Sequence, residues 1–272
     1  MSRPQHSQAC CTTPPVISEG YEPKGQWIEL DGTKTYATGP STATRAILTL
    51  YDAFGYFPQT IQGADILSSM LPDAILLMPD FFGPNPADVK LFPPRNPEET
   101  AAVWEWFKTY ATPDMHLPKI PGLLASAKDK YPSVDGDRWG IMGYCWGGKM
   151  SSLLAVQQAQ AQASTTGDHA TQGQKPPQFK ISVIVQAHPG LIDPSEAAEI
   201  DIPVCMLPSM DENADEVARY DANLTKAPKH VEVFPDQIHG WMSARADLSD
   251  QRVKDEYQRA YGIAGEWFKK YL

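Results

Sequence analysis

The segment from residue 139 to residue 148 carries the residues whose types and spacing point most directly to chemistry. It reads Trp-Gly-Ile-Met-Gly-Tyr-Cys-Trp-Gly-Gly, an apolar strand followed by Gly-x-Cys-x-Gly and then by a helical pattern. This is the arrangement of a nucleophile elbow, in which a tight turn presents a nucleophile at the end of a strand. Glycines at positions 143 and 147 avoid collisions of side chains with the neighbouring strand and helix. The pattern therefore predicts that Cys145 is a nucleophile.

The position of Cys145 before a helix suits a thiol in particular. The free N–H groups and the dipole of a helix N-terminus favour the thiolate, which is the reactive form of cysteine. The N–H of Trp146 is placed where it would stabilise a tetrahedral oxyanion. The alternative is that Cys145 is a small buried residue in a glycine-rich turn.

A cysteine nucleophile requires a base, and the base requires a group that orients it. In enzymes built around such an elbow, the chain order is nucleophile, acid and histidine. Asp211 follows one buried strand downstream of Cys145, and His239 follows the next. We therefore expect His239 to accept the thiol proton and Asp211 to hold the imidazole tautomer.

Other residues compete for these roles. His230 lies at the start of its strand, and His188 ends a strand at the correct edge but leaves no acid and histidine in the required order after it. We expect His188 to be structural or to line a pocket. Glu212 and Asp215 are neighbours of Asp211, and capping of a surface helix is the alternative role for all three acids. The remaining histidines are His6 and His116, which precede the elbow, and His169, which lies in a polar stretch.

Strand and helix patterns alternate along the chain that must position these residues. Residues 27–30, the Asp-Gly pair at 31–32 and the strand after it predict a β-hairpin. Alternation of strands and helices indicates a mostly parallel α/β sheet covered by helices on both faces, with the site at the carboxyl ends of the strands. The other predicted strands are 45–51, 74–78, 138–142, 181–186, 204–207 and 231–234, and the predicted helices are 58–71, 97–110, 121–130, 147–163, 214–225 and 250–271.

Length and composition limit the organisation of the chain. Its 272 residues, 42% hydrophobic and 21% charged, predict one globular domain spanning 1–272. We expect residues 1–24 to form an N-terminal tail. The segment 164–178, rich in Gln, Ala, Thr and Gly, is expected to be a mobile loop.

The charge and cysteine content exclude several classes of protein. A net charge of -10 with interspersed acids and bases argues against nucleic acid as a partner. We expect no membrane association, because no apolar run resembles a signal peptide or reaches the roughly 20 residues of a membrane span. Four cysteines without a Cys-x-x-Cys spacing predict free thiols and a cytoplasmic location.

At this point four segments resemble the dienelactone hydrolase family, in particular its fungal cytosolic branch. They are Gly-Tyr-Cys-Trp-Gly-Gly at 143–148, Tyr-Asp-Ala-Phe-Gly at 51–55, Pro-Asp-Phe-Phe at 79–82 and His-Gly-Trp-Met-Ser-Ala-Arg at 239–245. The resemblance implies an α/β-hydrolase fold. It also implies a Cys-His-Asp hydrolase that opens enol-lactones or related activated esters without a metal or an organic cofactor.

The same resemblance assigns roles to the segment after the first parallel strand. Asp52 matches an acidic residue that contacts the resting thiol in the family, where bacterial members carry the longer Glu. The second N–H of the oxyanion hole is expected from Ala53 or Phe54.

Substrate contacts are also implied by the resemblance. Arg245 lies near the position of a family arginine that binds a substrate carboxylate, and an arginine on a solvated loop is the alternative. Lys90 and Arg95 are further candidates for this contact. We also expect Tyr144 and Phe82, which lie in two of the matching segments, to contact the substrate.

The residues leave several functions open. The expected partner is a small ester or lactone, and the chain is expected to be a monomer or a homodimer. A thioesterase, or a lactone hydrolase of secondary metabolism, would use the same three residues. The adjacent Cys10 and Cys11 suggest a different alternative, a ligand-binding or redox-sensing protein on the same scaffold.

Overall fold

The computed structural model describes residues 14–16, 20–136, 138–166 and 179–272. In this part of the chain, eight strands form one sheet in the order β1-β2-β4-β3-β5-β6-β7-β8. The strands are β1 (Gln26–Leu30), β2 (Thr33–Thr38), β3 (Arg45–Leu50), β4 (Ala74–Pro79), β5 (Trp139–Tyr144), β6 (Ile181–Ala187), β7 (Val204–Leu207) and β8 (Lys229–Val231).

The first two strands form the hairpin that the Asp-Gly pair predicts. Asp31 and Gly32 both have positive φ, 47° and 70°, as a two-residue turn between twisted antiparallel strands requires. β2 then pairs antiparallel with β4, whereas β3 to β8 pair in parallel. The hairpin therefore extends an otherwise parallel sheet.

Helices cover the two faces of this sheet. They are α1 (Pro58–Met70), α2 (Pro97–Tyr110), α3 (Pro113–His116), α4 (Ile120–Lys130), α5 (Trp146–Thr166), α6 (Pro194–Ala197), α7 (Ala214–Asn223) and α8 (Gln251–Tyr271). A Cβ on Gly140 would lie 2.8 Å from Phe268 of α8, and one on Gly143 would lie 2.3 Å from Gly147 of α5. These two positions face opposite sides of β5 because side chains alternate along a strand. The predicted α/β-hydrolase fold, with a mostly parallel sheet between helices, is confirmed.

Burial explains why the central strands are uniformly apolar. Every residue of β4 and β5 is buried, as expected for parallel strands with both faces covered. Side chains cap the ends of two helices: the Asn96 side chain accepts the Glu99 N–H before α2, and Asp250 accepts two N–H groups before α8. Of the helices in the described ranges, none combines the length and the apolarity needed to cross a membrane.

The structure differs from the predicted elements at the last strand. β8 ends at Val231, and beyond it only an isolated bridge joins Ser209 to Phe234. The Phe234 N–H donates to the carbonyl of Pro208, and because proline has no N–H, the ladder lacks one donor at this point. The predicted strand 231–234 therefore lies mostly outside the regular pairing.

Two predicted flexible segments are only partly described. α5 continues to Thr166, so the start of the loop expected at 164–178 is helical, and residues 167–178 lie outside the described residues. In the expected tail, Val16 donates its N–H to Ala244, and the Tyr21 hydroxyl donates to Asp65. Cys10 and Cys11 lie outside the described residues.

Phe268 tests how much α8 contributes to stability. Its side chain is fully buried and packs against the backbone of β5 at Gly140. Phe268→Ala removes this apolar area and leaves a cavity, and we expect a loss of about 3–5 kcal/mol in the free energy of unfolding. The exposed Gln258→Ala on the same helix should change it by less than about 0.5 kcal/mol. Urea unfolding of both variants measures the difference, and equal losses would contradict the assignment.

Candidate active site

The elbow turn has the geometry that its glycines predict. Cys145 lies between β5 and α5 with φ of 49°, a left-handed conformation that is uncommon for a residue with a side chain. A Cβ on Gly147 would lie 2.0 Å from the carbonyl oxygen of Leu50. Only glycine permits this approach of α5 to β3, so the packing of the two elements holds the turn in place.

Backbone hydrogen bonds fasten the strained turn on both sides. The N–H of Cys145 donates to Ala187 at 3.1 Å, and the Cys145 carbonyl accepts from Gly190 at 2.9 Å. Both partners belong to β6 or to the segment that follows it. Cys145 is therefore held at the carboxyl end of the sheet, with 4% of its surface exposed.

His239 is held by two adjacent acids through two different atoms. The Asp211 carboxylate accepts the backbone N–H of His239 at 2.8 Å, whereas Glu212 Oε1 lies 2.5 Å from the ring atom Nδ1. The other oxygen of Glu212 accepts the N–H of Ser209. The side chains of His239 and Glu212 are each 2% exposed.

This geometry corrects the expected contact of the acid. Asp211 was the predicted partner of the imidazole, but Glu212, one of the two alternatives, occupies that position. The acids share one loop after β7, so the order of elements does not distinguish them, and the longer side chain is the one that reaches the ring. Because Nδ1 faces Glu212, Nε2 is the ring atom that remains to act on a thiol.

His188 connects the histidine to the elbow. It follows Ala187, which accepts the Cys145 N–H, and its ring centroid lies 5.0 Å from that of His239. His188 is fully buried. Its expected role as a structural or pocket-lining residue agrees with this placement, although the ring also has polar contacts, described below.

Both carboxyl oxygens of Asp52 accept hydrogen bonds. Its Oδ1 accepts the N–H of Phe54 at 2.9 Å, and its Oδ2 accepts the Ser243 hydroxyl at 2.6 Å and the Ala244 N–H at 3.2 Å. Burial raises the pKa of the Asp52 carboxyl, and these three bonds and the charge of Arg245 oppose the rise. Asp52 therefore belongs to a buried polar network beside the elbow.

The backbone N–H groups expected to form an oxyanion hole are those of Trp146 and of Ala53 or Phe54, and the Asp52 network uses one of them. Trp146 is the first residue of α5, so its N–H belongs to the free N-terminal turn of a helix. The N–H of Phe54 is already donated to Asp52. Of the two alternatives for the second donor, Ala53 is therefore the better candidate.

Arg245 is not on a solvated loop, because only 3% of its surface is exposed. Its Nη1 donates to the carbonyl of His239 at 3.1 Å, and its guanidinium lies 5.4 Å from the ring of Phe54. The role of Arg245 toward a substrate carboxylate stays a prediction. Lys90 and Arg95 are exposed, and Arg95 forms an ion pair with Glu99.

An aromatic wall stands beside the elbow on the side of Trp146. The rings of Phe82 and His116 lie 4.9 Å and 5.2 Å from that of Trp146, and the indole N–H of Trp146 donates to Ala111. The expected contact of Phe82 with the substrate stays a prediction. The members of the wall are Tyr51, Phe81, Phe82, Trp106, His116 and Trp146.

Tyr144 has a different environment from the one expected. Its side chain is fully buried, and its hydroxyl is hydrogen-bonded to the Tyr261 hydroxyl of α8 at 2.8 Å. The Tyr261 hydroxyl in turn donates to the Met242 carbonyl. The expected substrate contact of Tyr144 stays a prediction, and in this structure the hydroxyl joins the elbow strand to α8.

Sequence reasoning missed two members of the site. His116 was set aside because it precedes the elbow, yet it makes edge-to-face contacts with three rings of the aromatic wall. Ser243 was not singled out, although it lies within the 239–245 segment that carried the resemblance. Neither has a motif of its own, because each reaches the site through packing between distant parts of the chain.

The fold and the cysteine elbow define a protein of the α/β-hydrolase class. Residues 33–272 match the Dienelactone hydrolase family, and the chain belongs to this family. It is 28% identical to an uncharacterized AIM2 family protein of Schizosaccharomyces pombe, over 97% of this chain and 99% of that protein. It is 25% identical to a carboxymethylenebutenolidase homolog of Xenopus tropicalis, over 93% of each chain.

Solved structures show the same fold at low sequence identity. The dienelactone hydrolase from Anabaena variabilis superposes with a TM-score of 0.59 at 13% identity. The match covers 92% of this chain and 98% of that one. The likeness establishes the common arrangement of strands and helices.

His116, in the aromatic wall, should make the free energy of unfolding depend on pH. Burial lowers the pKa of its imidazole below the usual value of 6.5, and its Nε2 lies 2.6 Å from the carbonyl of Tyr110. Below pH 6.5 the unfolded chain binds a proton that the folded protein resists, so stability falls as the pH falls. When the pH is lowered from 7.5 to 5.5, we expect the free energy of unfolding to decrease less in His116→Gln than in wild type. The two decreases should differ by up to about 1.4 kcal/mol. Urea unfolding at both pH values measures this, and identical losses would refute it.

Proposed function

We propose that this protein is a cysteine-dependent hydrolase that opens an enol-lactone or a related activated ester through a thioester on Cys145. The observation that carries the proposal is the strained elbow at Cys145, whose N–H is bonded to Ala187 beside His188. The ring of His188 contacts the buried imidazole of His239, which Glu212 holds at Nδ1. Membership of the dienelactone hydrolase family supports the same reaction class.

The first half of the reaction forms the thioester. His239 Nε2 takes the proton of the Cys145 thiol, and the thiolate attacks the carbonyl carbon of the substrate. The oxyanion that forms accepts hydrogen bonds from the N–H groups of Trp146 and Ala53. The tetrahedral intermediate then expels the enolate, which takes the proton from His239.

The second half returns the enzyme to its starting state. His239 takes a proton from water, and the hydroxide attacks the thioester carbonyl. Sulfur leaves as the carboxylic acid forms, and the imidazolium proton returns to the thiol. Glu212 stabilises the imidazolium in both halves because its carboxylate lies against Nδ1.

The chemistry of sulfur restricts the substrates. A thiolate is a good nucleophile and also a good leaving group, so an intermediate formed from an unactivated amide expels the thiolate again. An enol ester loses its more stable enolate instead. The proposed substrates are therefore activated esters and lactones, and peptides are disfavoured.

The surroundings of Cys145 indicate an apolar substrate that reaches the thiol only when side chains move. Cys145 and His239 are 4% and 1% exposed, so the site is nearly closed to solvent. Trp146 follows Cys145 at the start of α5, and the ring of Phe82, in the loop after β4, lies 4.9 Å from the Trp146 ring. We propose that they pack against the substrate and exclude water around the reacting carbonyl.

The compartment follows from the same chemistry. A thiolate nucleophile must remain reduced, and reduced thiols persist in the cytoplasm. We therefore propose a cytoplasmic enzyme that acts on a small molecule.

Replacement of the nucleophile tests the proposal directly. Cys145→Ala should lower kcat/KM for p-nitrophenyl acetate and for a dienelactone at least about a thousandfold, because covalent catalysis is lost. Mass spectrometry of wild type with p-nitrophenyl acetate should show an acetyl group on Cys145. Cys205→Ala is the matched control, since Cys205 is buried in β7 away from the elbow. Undiminished turnover by Cys145→Ala would refute the assignment.

A second pair of variants distinguishes the two acids. Glu212→Gln should lower kcat about 10²–10⁴-fold, because an amide does not stabilise the imidazolium and favours the wrong tautomer. Asp211→Asn keeps an oxygen for the His239 N–H and should cost less than about tenfold. Steady-state kinetics with p-nitrophenyl acetate measures both. A larger loss in Asp211→Asn than in Glu212→Gln would assign the orienting role to Asp211.

A further inference from the structure

His188 is a buried titratable residue that the proposed mechanism does not use. It follows β6 with φ of 36°, and its N–H donates to Leu207. Its Nε2 lies 3.3 Å from the Ser243 hydroxyl oxygen, and Ser243 in turn lies 2.6 Å from Asp52 Oδ2. A continuous chain of polar side chains therefore runs from His188 through Ser243 to Asp52.

The Ser243 hydroxyl has one proton, and this decides which group donates in each of the two hydrogen bonds. The hydroxyl lies much closer to Asp52 Oδ2 than to His188 Nε2, and an ionised carboxylate accepts only. Ser243 therefore donates to Asp52 Oδ2. The Nε2 of His188 must then carry a proton and donate to the Ser243 oxygen, which fixes the tautomer of His188.

Burial, together with the neighbouring His239 and Arg245, keeps the imidazole of His188 neutral. Burial lowers the pKa of its imidazole well below the usual value, and His239 and Arg245 lower it further. The other groups that face this cluster are Asp52, which it reaches through Ser243, and Tyr144, whose ring lies 6.1 Å away. A neutral His188 is a fixed hydrogen-bond donor that adds no charge beside His239.

A hydroxyl that accepts a hydrogen bond is a stronger donor, because the bonds in a chain polarise one another. The bond from His188 to Ser243 therefore strengthens the bond from Ser243 to Asp52. This matters in a buried site, where desolvation opposes ionisation of the carboxyl and hydrogen bonds favour it.

We infer that His188 is a positioning residue, which acts through Ser243 to hold the Asp52 carboxylate ionised beside the elbow. In this role it acts through Ser243 and Asp52. The link from Asp52 to catalysis rests on the proposed function, whereas the effect on Asp52 itself does not.

The test follows the Asp52 carboxyl directly in the full-length protein. Its ¹³C signal, assigned by its loss in Asp52→Asn, is titrated by NMR in wild type, in His188→Phe and in Ser243→Ala. Phenylalanine keeps a ring against His239 but removes the donor. We expect the titration midpoint of Asp52 to rise by about half a pH unit in His188→Phe, and to rise at least as much in Ser243→Ala.

Two further variants separate positioning from packing. Because His188 acts through Ser243, His188→Phe should cause no further rise in the Ser243→Ala background. His188→Gln, whose amide N–H replaces Nε2–H, should restore the midpoint of wild type. A midpoint that is unchanged in Ser243→Ala, or effects of the two substitutions that add, would overturn the inference. This outcome is distinct from failure of the proposed function, which is decided by the activity of Cys145→Ala.

Discussion

The contact between Gly147 and the end of β3 is the constraint on which the candidate site depends. Without a side chain at this position, the first turn of α5 lies against Leu50 O, and the Gly147 N–H donates to Tyr51 O at 3.3 Å. The same contact joins the elbow to the start of the loop that carries Asp52. One backbone approach therefore places the thiol and the buried carboxylate network together.

Two acidic groups of this site have different surroundings. Glu212 faces a ring nitrogen of His239. Asp52 is surrounded by a hydroxyl and two backbone N–H groups, so its oxygens find their donors within the segments that follow β3 and His239. Arg245, in the segment after His239, donates to the His239 carbonyl and lies over the ring of Phe54 in the other segment. The two carboxyl groups thus contact different partners, the His239 ring for Glu212 and the donors of the buried network for Asp52.

The sequence was sufficient for features that depend on local chemistry. The hairpin at Asp31 and Gly32 and the alternating strands and helices follow from turn residues and periodic apolar patterns. The position of Cys145 between β5 and α5 follows from its glycines. The choice between Asp211 and Glu212 was beyond such patterns, because both acids contact His239 and only their reach in three dimensions differs. The burial of Tyr144 against Tyr261 and the edge-to-face contacts of His116 likewise depend on residues far apart in the chain.

The short strand β8 has a consequence for how the molecule behaves at high concentration. An edge strand exposes backbone donors and acceptors to which another chain could add, and natural sheets limit this risk with brief or charged edges. β8 contains three residues and begins with Lys229, which pairs with Asp221. The β8 edge of the sheet therefore gives little template for aggregation.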